Sequence, residues 1–129
     1  MPEILFHGTR GDRILSIIET GVLRPGADHA IYFSRFEWSH VLSYGADATR
    51  RASFVLKVQV EIPNGVGREL TSIRGVPSVL KVVTPAPLQT AVLEMYVRGL
   101  DVHQRFTFHT VVGAEAIKTF LQAMPLRGA

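Results

Sequence analysis

The sequence predicts a single domain of the α+β class over residues 1–129. A chain of 129 residues has the ordinary size of one domain and needs no covalent cross-links to fold. Residues 53–62 alternate apolar and polar side chains, which is typical of a strand. Residues 12–20 instead place apolar side chains on one side of a helix. We expect strands to be concentrated in the second half of the chain and helices mostly in the first.

The first half of the chain alternates strands and helices. In order, we predict a strand over 3–7, a helix over 12–20, a loop over 21–30, a strand over 30–34 and a helix over 37–51. Asp12 is the expected N-cap of the first helix, and Gly21 its C-terminal stop. Its expected inward residues are Ile14, Leu15, Ile17 and Ile18. Those of the second helix are Trp38, Val41 and Leu42.

The second half of the chain is mostly extended. After the strand over 53–62, Pro63-Asn64-Gly65 predicts a turn and the chain is irregular to about 77. Pro85-Ala86-Pro87 predicts a break between two later strands. The remaining predicted elements are strands over 78–84, 90–98 and 104–112 and a helix over 114–124.

Composition excludes several classes of protein. Without cysteine, the chain has no disulfide framework, no thiol nucleophile and no cysteine-based zinc site. No apolar run approaches the ~18 residues that span a bilayer, and the N-terminus lacks a signal-peptide pattern. We therefore expect a cytoplasmic protein with no membrane partner. A net charge of +3 favours an anionic partner, a dinucleotide or a nucleic acid, although the basic residues are scattered.

Three short segments carry residue types that suit chemistry. Leu5-Phe6-His7-Gly8-Thr9-Arg10 ends a predicted strand with a histidine and a glycine. Ile31-Tyr32-Phe33-Ser34 places a tyrosine on a second strand, and Val92–Val97 places Glu94 inside an otherwise apolar one. A histidine, a tyrosine and a carboxylate on three strands suit the binding of a dinucleotide and the polarisation of one of its riboses. This pattern favours an enzyme over a passive domain.

Each of these residues also has an ordinary structural interpretation. A histidine at a strand end is commonly structural, and Tyr32 and Tyr44 taken singly are core aromatics. Glu94 is the most informative, because a carboxylate among apolar residues is costly unless it faces solvent or is used. Alternation places Glu94 on the side of Thr90, Val92 and Tyr96, a half-apolar side that suits a cleft wall. Glu61 and Glu69 are the reserve carboxylates, and both have the pattern of ordinary surface.

Together with Tyr44-Gly45, these segments resemble the ADP-ribosyltransferases with a His-Tyr-Glu signature. That branch contains the diphtheria-toxin-like enzymes and the catalytic domains of poly(ADP-ribose) polymerases. The resemblance covers nearly the whole chain and implies a split β-sandwich that holds NAD in an L-shaped cleft, with helices packed on the N-terminal half. The chain is also similar in size and opening motif to rifamycin-modifying ADP-ribosyltransferases, which carry Asp in the third position. We find no Asp placed to replace Glu94.

The resemblance implies a role for each matching position. His7 would bond the adenosine ribose, and the Gly8 backbone would bond the nicotinamide carboxamide, which a side chain would block. Tyr32 would line the nicotinamide pocket and Tyr44 would stack on the ring. Glu94 would bind the nicotinamide ribose and stabilise an oxocarbenium-like transition state. The implied catalytic residues are Glu94, Tyr32 and His7; the implied NAD-binding residues are His7, Gly8, Thr9, Tyr32, Ser34 and Tyr44.

The function expected from this resemblance is mono-ADP-ribosyl transfer from NAD, with no metal, by a monomer. The acceptor is a protein, a nucleic acid or a small molecule. Val92 stands where arginine-modifying enzymes carry Glu or Gln, which disfavours arginine and asparagine acceptors. Two alternatives stay open: an NAD glycohydrolase on the same scaffold, and an inactive module that binds NAD or a partner. The biological role, with toxin and defence among the candidates, is likewise open.

Overall fold

The computed structural model describes residues 2–73 and 76–126. These residues form antiparallel strands, two α-helices and one 3₁₀ segment, which confirms the α+β class. The strands are β1 (Glu3–Gly8), β2 (Val22–Leu23), β3 (Ala30–Ser34), β4 (Ala46–Asp47), β5 (Ala52–Val60), β6 (Gly67–Ile73), β7 (Val76–Val83), β8 (Leu88–Leu100) and β9 (Phe106–Val112). The helices are α1 (Gly11–Thr20) and α2 (Ala114–Ala123), and the 3₁₀ segment is Trp38–Gly45. None of the described helices is long and apolar enough to cross a membrane.

The strands pair in the order β2-β8-β5-β1-β3-β7-β6, with β4 beside β5 and β9 beside β8. Strand β1, which carries the histidine–glycine motif, therefore lies between β5 and β3 near the middle of the sheet. Strand β4 pairs with Ala52 and Ser53 and so continues the line of β1 along β5. The sequence motif singled out above thus sits at a strand end inside the sheet.

The two faces of the sheet carry different cores. Helices α1 and α2 cover one face and share an apolar cluster with its strands, which includes Leu5, Phe33, Leu56 and Met95. The 3₁₀ segment covers the other face and packs Val41 and Leu42 against Val55 and Phe6. Successive residues of a strand point to opposite faces. His7 therefore lies on the helix face, whereas Phe6 and Gly8 lie on the face of the 3₁₀ segment.

Helix α1 ends where the sequence predicts and begins in a different way. Gly21 adopts a left-handed conformation with φ 71°, and its N–H bonds the Ile17 carbonyl, which confirms the predicted stop. Asp12 is not the N-cap, because the helix begins at Gly11 and Arg10 occupies the cap position. A carboxylate from β4 takes over this role: the Gly11 N–H donates to Asp47 Oδ2 over 3.0 Å. Helix α1 is thereby tied to the start of β5.

Two predicted elements were wrong. The helix over 37–51 is instead a 3₁₀ segment followed by β4 and a turn. Gly45 packs so closely on β5 that a Cβ there would lie 1.8 Å from the Phe54 carbonyl oxygen, which holds the chain flat on the sheet. The irregular stretch before residue 77 contains strand β6. Its alternation is hidden because Arg68, Glu69 and Leu70 are all exposed, as edge-strand residues often are.

Candidate functional site

The candidate site lies where β1 and β3 separate. These strands pair at one position, Phe6 with Ser34. Beyond it, the His7 ring bridges the gap, and Nδ1–H donates to the Tyr32 carbonyl oxygen over 2.9 Å. A cavity of about 340 Å³ opens there, with His7, Gly8 and Thr9 on one wall and Ala30 and Tyr32 on the other. The sequence-predicted histidine, glycine and tyrosine are thus brought together.

A pair of tyrosines forms one wall of the cavity. The rings of Tyr32 and Tyr44 stack with centroids 5.6 Å apart and an interplanar angle of 15°. The Tyr32 hydroxyl donates to Asp28 Oδ2 over 2.7 Å, and this bond is the main reason that the pKa of Tyr32 rises to about 12. Burial raises the pKa of Tyr44. Both phenols are therefore neutral at physiological pH, and their rings suit the stacking of a flat, neutral or cationic ligand.

The His7 ring is held neutral in a defined tautomer. Its Nδ1–H bond to the Tyr32 carbonyl leaves Nε2 as an acceptor. Burial, assisted by the charge of Arg13, lowers the pKa of His7, and the hydrogen bond to Tyr32 opposes this only in part. The ring also contacts Phe33 with centroids 5.5 Å apart. The geometry suits an acceptor for a ligand hydroxyl, such as that of a ribose.

This lowered pKa predicts a loss of stability in mild acid. The pKa of a histidine in the unfolded state is about 6.5. Below that pH the unfolded chain binds a proton at His7 that the folded protein does not, so the free energy of unfolding decreases as the pH falls, until the folded-state pKa of His7 is reached. We expect His7→Gln to flatten the pH dependence of the urea midpoint below about pH 6.5. The exposed His103 gives the matched control variant, His103→Gln. A His7→Gln variant with the full slope would contradict the assignment.

Three arginines make the cavity electropositive. Arg10, Arg13 and Arg24 line it, and all three are exposed. Arg10 lies 3.8 Å from the carboxylate of Asp12, and Asp28 contributes a carboxylate to the cavity wall. The three positive charges outnumber these two negative charges, which favours an anionic ligand, and guanidinium groups bind phosphate well.

A second cavity of about 420 Å³ extends the first along α1. His7, Thr9, Arg13 and Arg24 line both cavities, so the two form one elongated cleft. The far part adds apolar side chains and two hydroxyls, from Ile17, Leu23, Pro25, Ser16 and Thr20. Each part falls within the ~300–1,000 Å³ range of small-molecule sites. An apolar end, a cationic middle and an aromatic end suit an elongated ligand with phosphates at its centre.

Packing accounts for the glycine at position 8. A Cβ there would lie 2.1 Å from the Val41 carbonyl oxygen and 3.0 Å from the Gly45 nitrogen. The 3₁₀ segment therefore occupies the space that a side chain would need, whether or not a ligand binds. The Gly8 backbone still lines the cavity.

Of the two remaining predicted NAD ligands, one lines the cleft and one does not. Thr9 is buried, lines both cavities, and donates its backbone N–H to the Phe54 carbonyl over 3.3 Å. Ser34 is fully buried and lines neither cavity. Its hydroxyl accepts the Glu37 N–H over 3.3 Å and so shapes the entry to the 3₁₀ segment.

The structure does not bring Glu94 to this cleft. Its register partner is Lys57, whose partner on β1 is Phe6, so Glu94 lies on the face opposite His7. It shares the face of Tyr32 but lies three strands away in the sheet. The Tyr96 hydroxyl donates to Glu94 Oε2 over 2.6 Å. Glu94 therefore belongs to the surroundings of Tyr96, outside both cavities.

A β-bulge explains why Glu94 shares its side of the strand with Tyr96, as predicted, but not with Val92. The register of β5 and β8 shifts between Lys57 and Val58: Glu94 pairs with Lys57, but Val92 pairs with the core residue Val58. Val92 thus packs on the helix face, and the expectation that it shares a side with Glu94 is wrong. One extra residue in a strand reverses all alternation beyond it.

Two other carboxylates, Asp28 and Glu69, lie nearer the tyrosine pair; Glu69 is one of the two reserve carboxylates named from the sequence, whereas Asp28 was not predicted. Asp28 lines the cavity and bonds Tyr32; its position just before the tyrosine strand was the signal available. Glu69 pairs with Lys81, which pairs with Tyr32, and its charge helps to raise the pKa of Tyr32. No group of three or more histidine, aspartate or glutamate side chains among the described residues could hold a metal ion.

No protein-family model, curated protein or solved structure matches this chain.

Proposed function

We propose that the protein binds NAD in this cleft and acts as a mono-ADP-ribosyltransferase. The observation that carries the proposal is the stacked pair Tyr32 and Tyr44 beside the Gly8 backbone, within a cavity that three arginines line. A flat nicotinamide suits the tyrosines, and a pyrophosphate suits the arginines. The gap between β1 and β3 supports an ADP-ribosyltransferase-like split β-sandwich as the finer description of the fold.

The described groups suit NAD binding in sequence along the cleft. His7 Nε2 accepts a ribose hydroxyl, and the Gly8 backbone bonds the carboxamide. Arg10, Arg13 and Arg24 neutralise the pyrophosphate, and the apolar end beyond them holds the adenine. Each step uses chemistry that the lining residues already carry.

The reaction breaks one bond and forms one. The bond between ribose C1′ and the nicotinamide nitrogen breaks, and nicotinamide leaves neutral with the electron pair. An acceptor lone pair then forms the bond to C1′, and the acceptor loses its proton to solvent. A carboxylate stabilises the positive charge that develops on the ribose. Asp28 is our candidate, since it lines the cavity and the Tyr32 hydroxyl holds the pKa of Asp28 below its usual value.

The position of Glu94 supports the second candidate function, an NAD-binding module without turnover. The carboxylate expected from the His-Tyr-Glu resemblance lies outside the cleft, on the face opposite His7. Such a module would bind NAD through the same tyrosines and arginines and would release no nicotinamide.

Nicotinamide release distinguishes these carboxylates. We expect Asp28→Asn to reduce the rate about 100-fold, as the loss of one transition-state contact does. Glu94→Gln should stay within about twofold, because Gln still accepts the Tyr96 hydroxyl. The exposed Glu61 gives the control variant Glu61→Gln. If only Glu94→Gln is inactive, the Asp28 assignment fails; if the wild type binds NAD but releases nothing, the module is correct.

A further inference from the structure

Strand β9 presents two phenylalanines to solvent. Its neighbour in the sheet is β8, and the side chains of Phe106 and Phe108 are 60% and 62% exposed. Their centroids are 6.5 Å apart and their planes are tilted by 52°, so each ring offers a separate surface. Alternation puts both on the sheet face that carries Tyr96 and Arg98. Adjacent exposed aromatic rings on one strand mark an interaction site.

Cationic side chains surround these rings. Arg98 is the register partner of Phe108, and its guanidinium carbon lies 4.7 Å from the centroid of the Phe106 ring. Arg51, Arg98 and Phe106 line an open groove of about 250 Å³. Within residues 2–73 and 76–126, neither guanidinium lies within 4.0 Å of a carboxylate, whereas Arg105 is paired with Asp101 at 3.2 Å. We call Arg51, Arg98, Phe106 and Phe108 the β8–β9 patch.

We propose that the β8–β9 patch binds single-stranded RNA. Unpaired bases stack on exposed aromatic rings of a sheet, and arginines contact the phosphates between them. Thr110 follows Phe108 on the same face and is exposed, which places a hydroxyl where a ribose 2′-hydroxyl can bond it. A second copy of this chain fits less well, because it would bring its own cations against Arg51 and Arg98.

The patch adjoins the NAD cleft. Ala46 lines both the groove of the patch and the cavity that contains the tyrosine pair. An RNA strand bound at Phe106 can therefore continue towards the cavity, where one of its bases or its terminal phosphate would act as the ADP-ribose acceptor. This acceptor role rests on the proposed function, whereas RNA binding does not.

Fluorescence anisotropy with a labelled 12-nucleotide uridine strand, without NAD, tests the binding. We expect Phe106→Ala and Phe108→Ala each to weaken binding about tenfold. Arg98→Ala should reduce the slope of log K against log salt by about 0.7. Phe36→Ala is the matched control, because Phe36 is 76% exposed, its ring centroid lies 5.8 Å from the Arg35 guanidinium carbon, and it does not line the groove of the patch. The control should bind as the wild type does.

Several outcomes would overturn the proposal. These are no binding by the wild type, equal weakening by Phe36→Ala, and equal affinity for a thymidine strand or for duplex RNA of the same length. A dimer in sedimentation that Phe106→Ala dissociates would assign the patch to a second copy. Labelled NAD then tests the acceptor role: binding without labelling of the strand refutes that role alone, and failed NAD turnover leaves the anisotropy result standing.

Discussion

Replacing Asp47 with alanine will lower the free energy of unfolding by about 3 kcal/mol, as the breaking of a buried ion pair does. The Asp47 side chain is 3% exposed and bonds the guanidinium of Arg50 at 3.0 Å, which is itself 11% exposed. The same carboxylate accepts the N–H of Gly11 at the start of α1. Its loss leaves a buried cation and a helix N–H without partners, and urea unfolding measures the cost.

The position of Asp12 provides the control for this experiment. Asp12 lies in the first turn of the same helix, but its side chain is 63% exposed and its contact with Arg10 is 3.8 Å long. Asp12→Ala should cost less than about 1 kcal/mol. Equal costs for the two variants would show that α1 does not depend on its bond to Asp47.

The pH dependence of Asp47 has a definite sign. Burial by itself raises the pKa of this carboxyl, but hydrogen bonds from Gly11, Arg50 and Thr49 outweigh burial, and the net pKa is lowered. The stabilisation is therefore present above the unfolded pKa of about 3.9 and is lost as the pH falls towards the folded pKa. The gap in stability between the wild type and Asp47→Ala should narrow over that range.

Replacing Tyr44 with alanine will weaken NAD binding about 100-fold, a loss of about 2.7 kcal/mol. Tyr44 provides one ring of the stacked pair, and its removal takes away one of the two aromatic surfaces on which the nicotinamide would stack. Tyr44→Phe keeps the ring and should bind NAD within about threefold of the wild type. Calorimetric titration with NAD measures both. A Tyr44→Ala variant with full affinity would show that the nicotinamide does not stack on this ring.

A neighbouring residue controls for damage to the 3₁₀ segment. Ser43 is exposed beside Tyr44, and Ser43→Ala should leave NAD affinity unchanged. Because Tyr44 is 37% exposed, its truncation leaves the packing of Val41 and Leu42 intact. Equal unfolding midpoints for these variants would confine the Tyr44→Ala effect to the ligand.

Local patterns in the sequence predicted the elements that form by local rules. The strands β1, β3 and β5 follow from their apolar residues, and the end of α1 follows from Gly21. The 3₁₀ segment could not be predicted, since it depends on the contact between Gly45 and the distant Phe54. The capping of α1 by Asp47 likewise joins residues 36 positions apart.

The residues of the candidate site were likewise predictable from the sequence only in part. The motifs predicted the strands of His7 and Tyr32, which are neighbours in the sheet and in contact although α1 and β2 lie between them in the chain. Glu94 was grouped with them from the pattern of one strand. Such a pattern predicts a face, but the order of strands decides how far apart two residues lie, and a bulge can reverse the face itself.

The contact between the Tyr32 and Tyr44 rings limits which ligands can bind between them. A flat ring between them needs centroids about 7 Å apart, two van der Waals contacts of ~3.5 Å, whereas they are 5.6 Å apart. A ligand ring that binds between the two tyrosines must first separate them, so a ring that makes no other contacts with the protein binds weakly. A dinucleotide can offset that cost through its riboses and phosphates, and a detached nicotinamide cannot. In the proposed reaction, closure of the pair would therefore expel the detached nicotinamide.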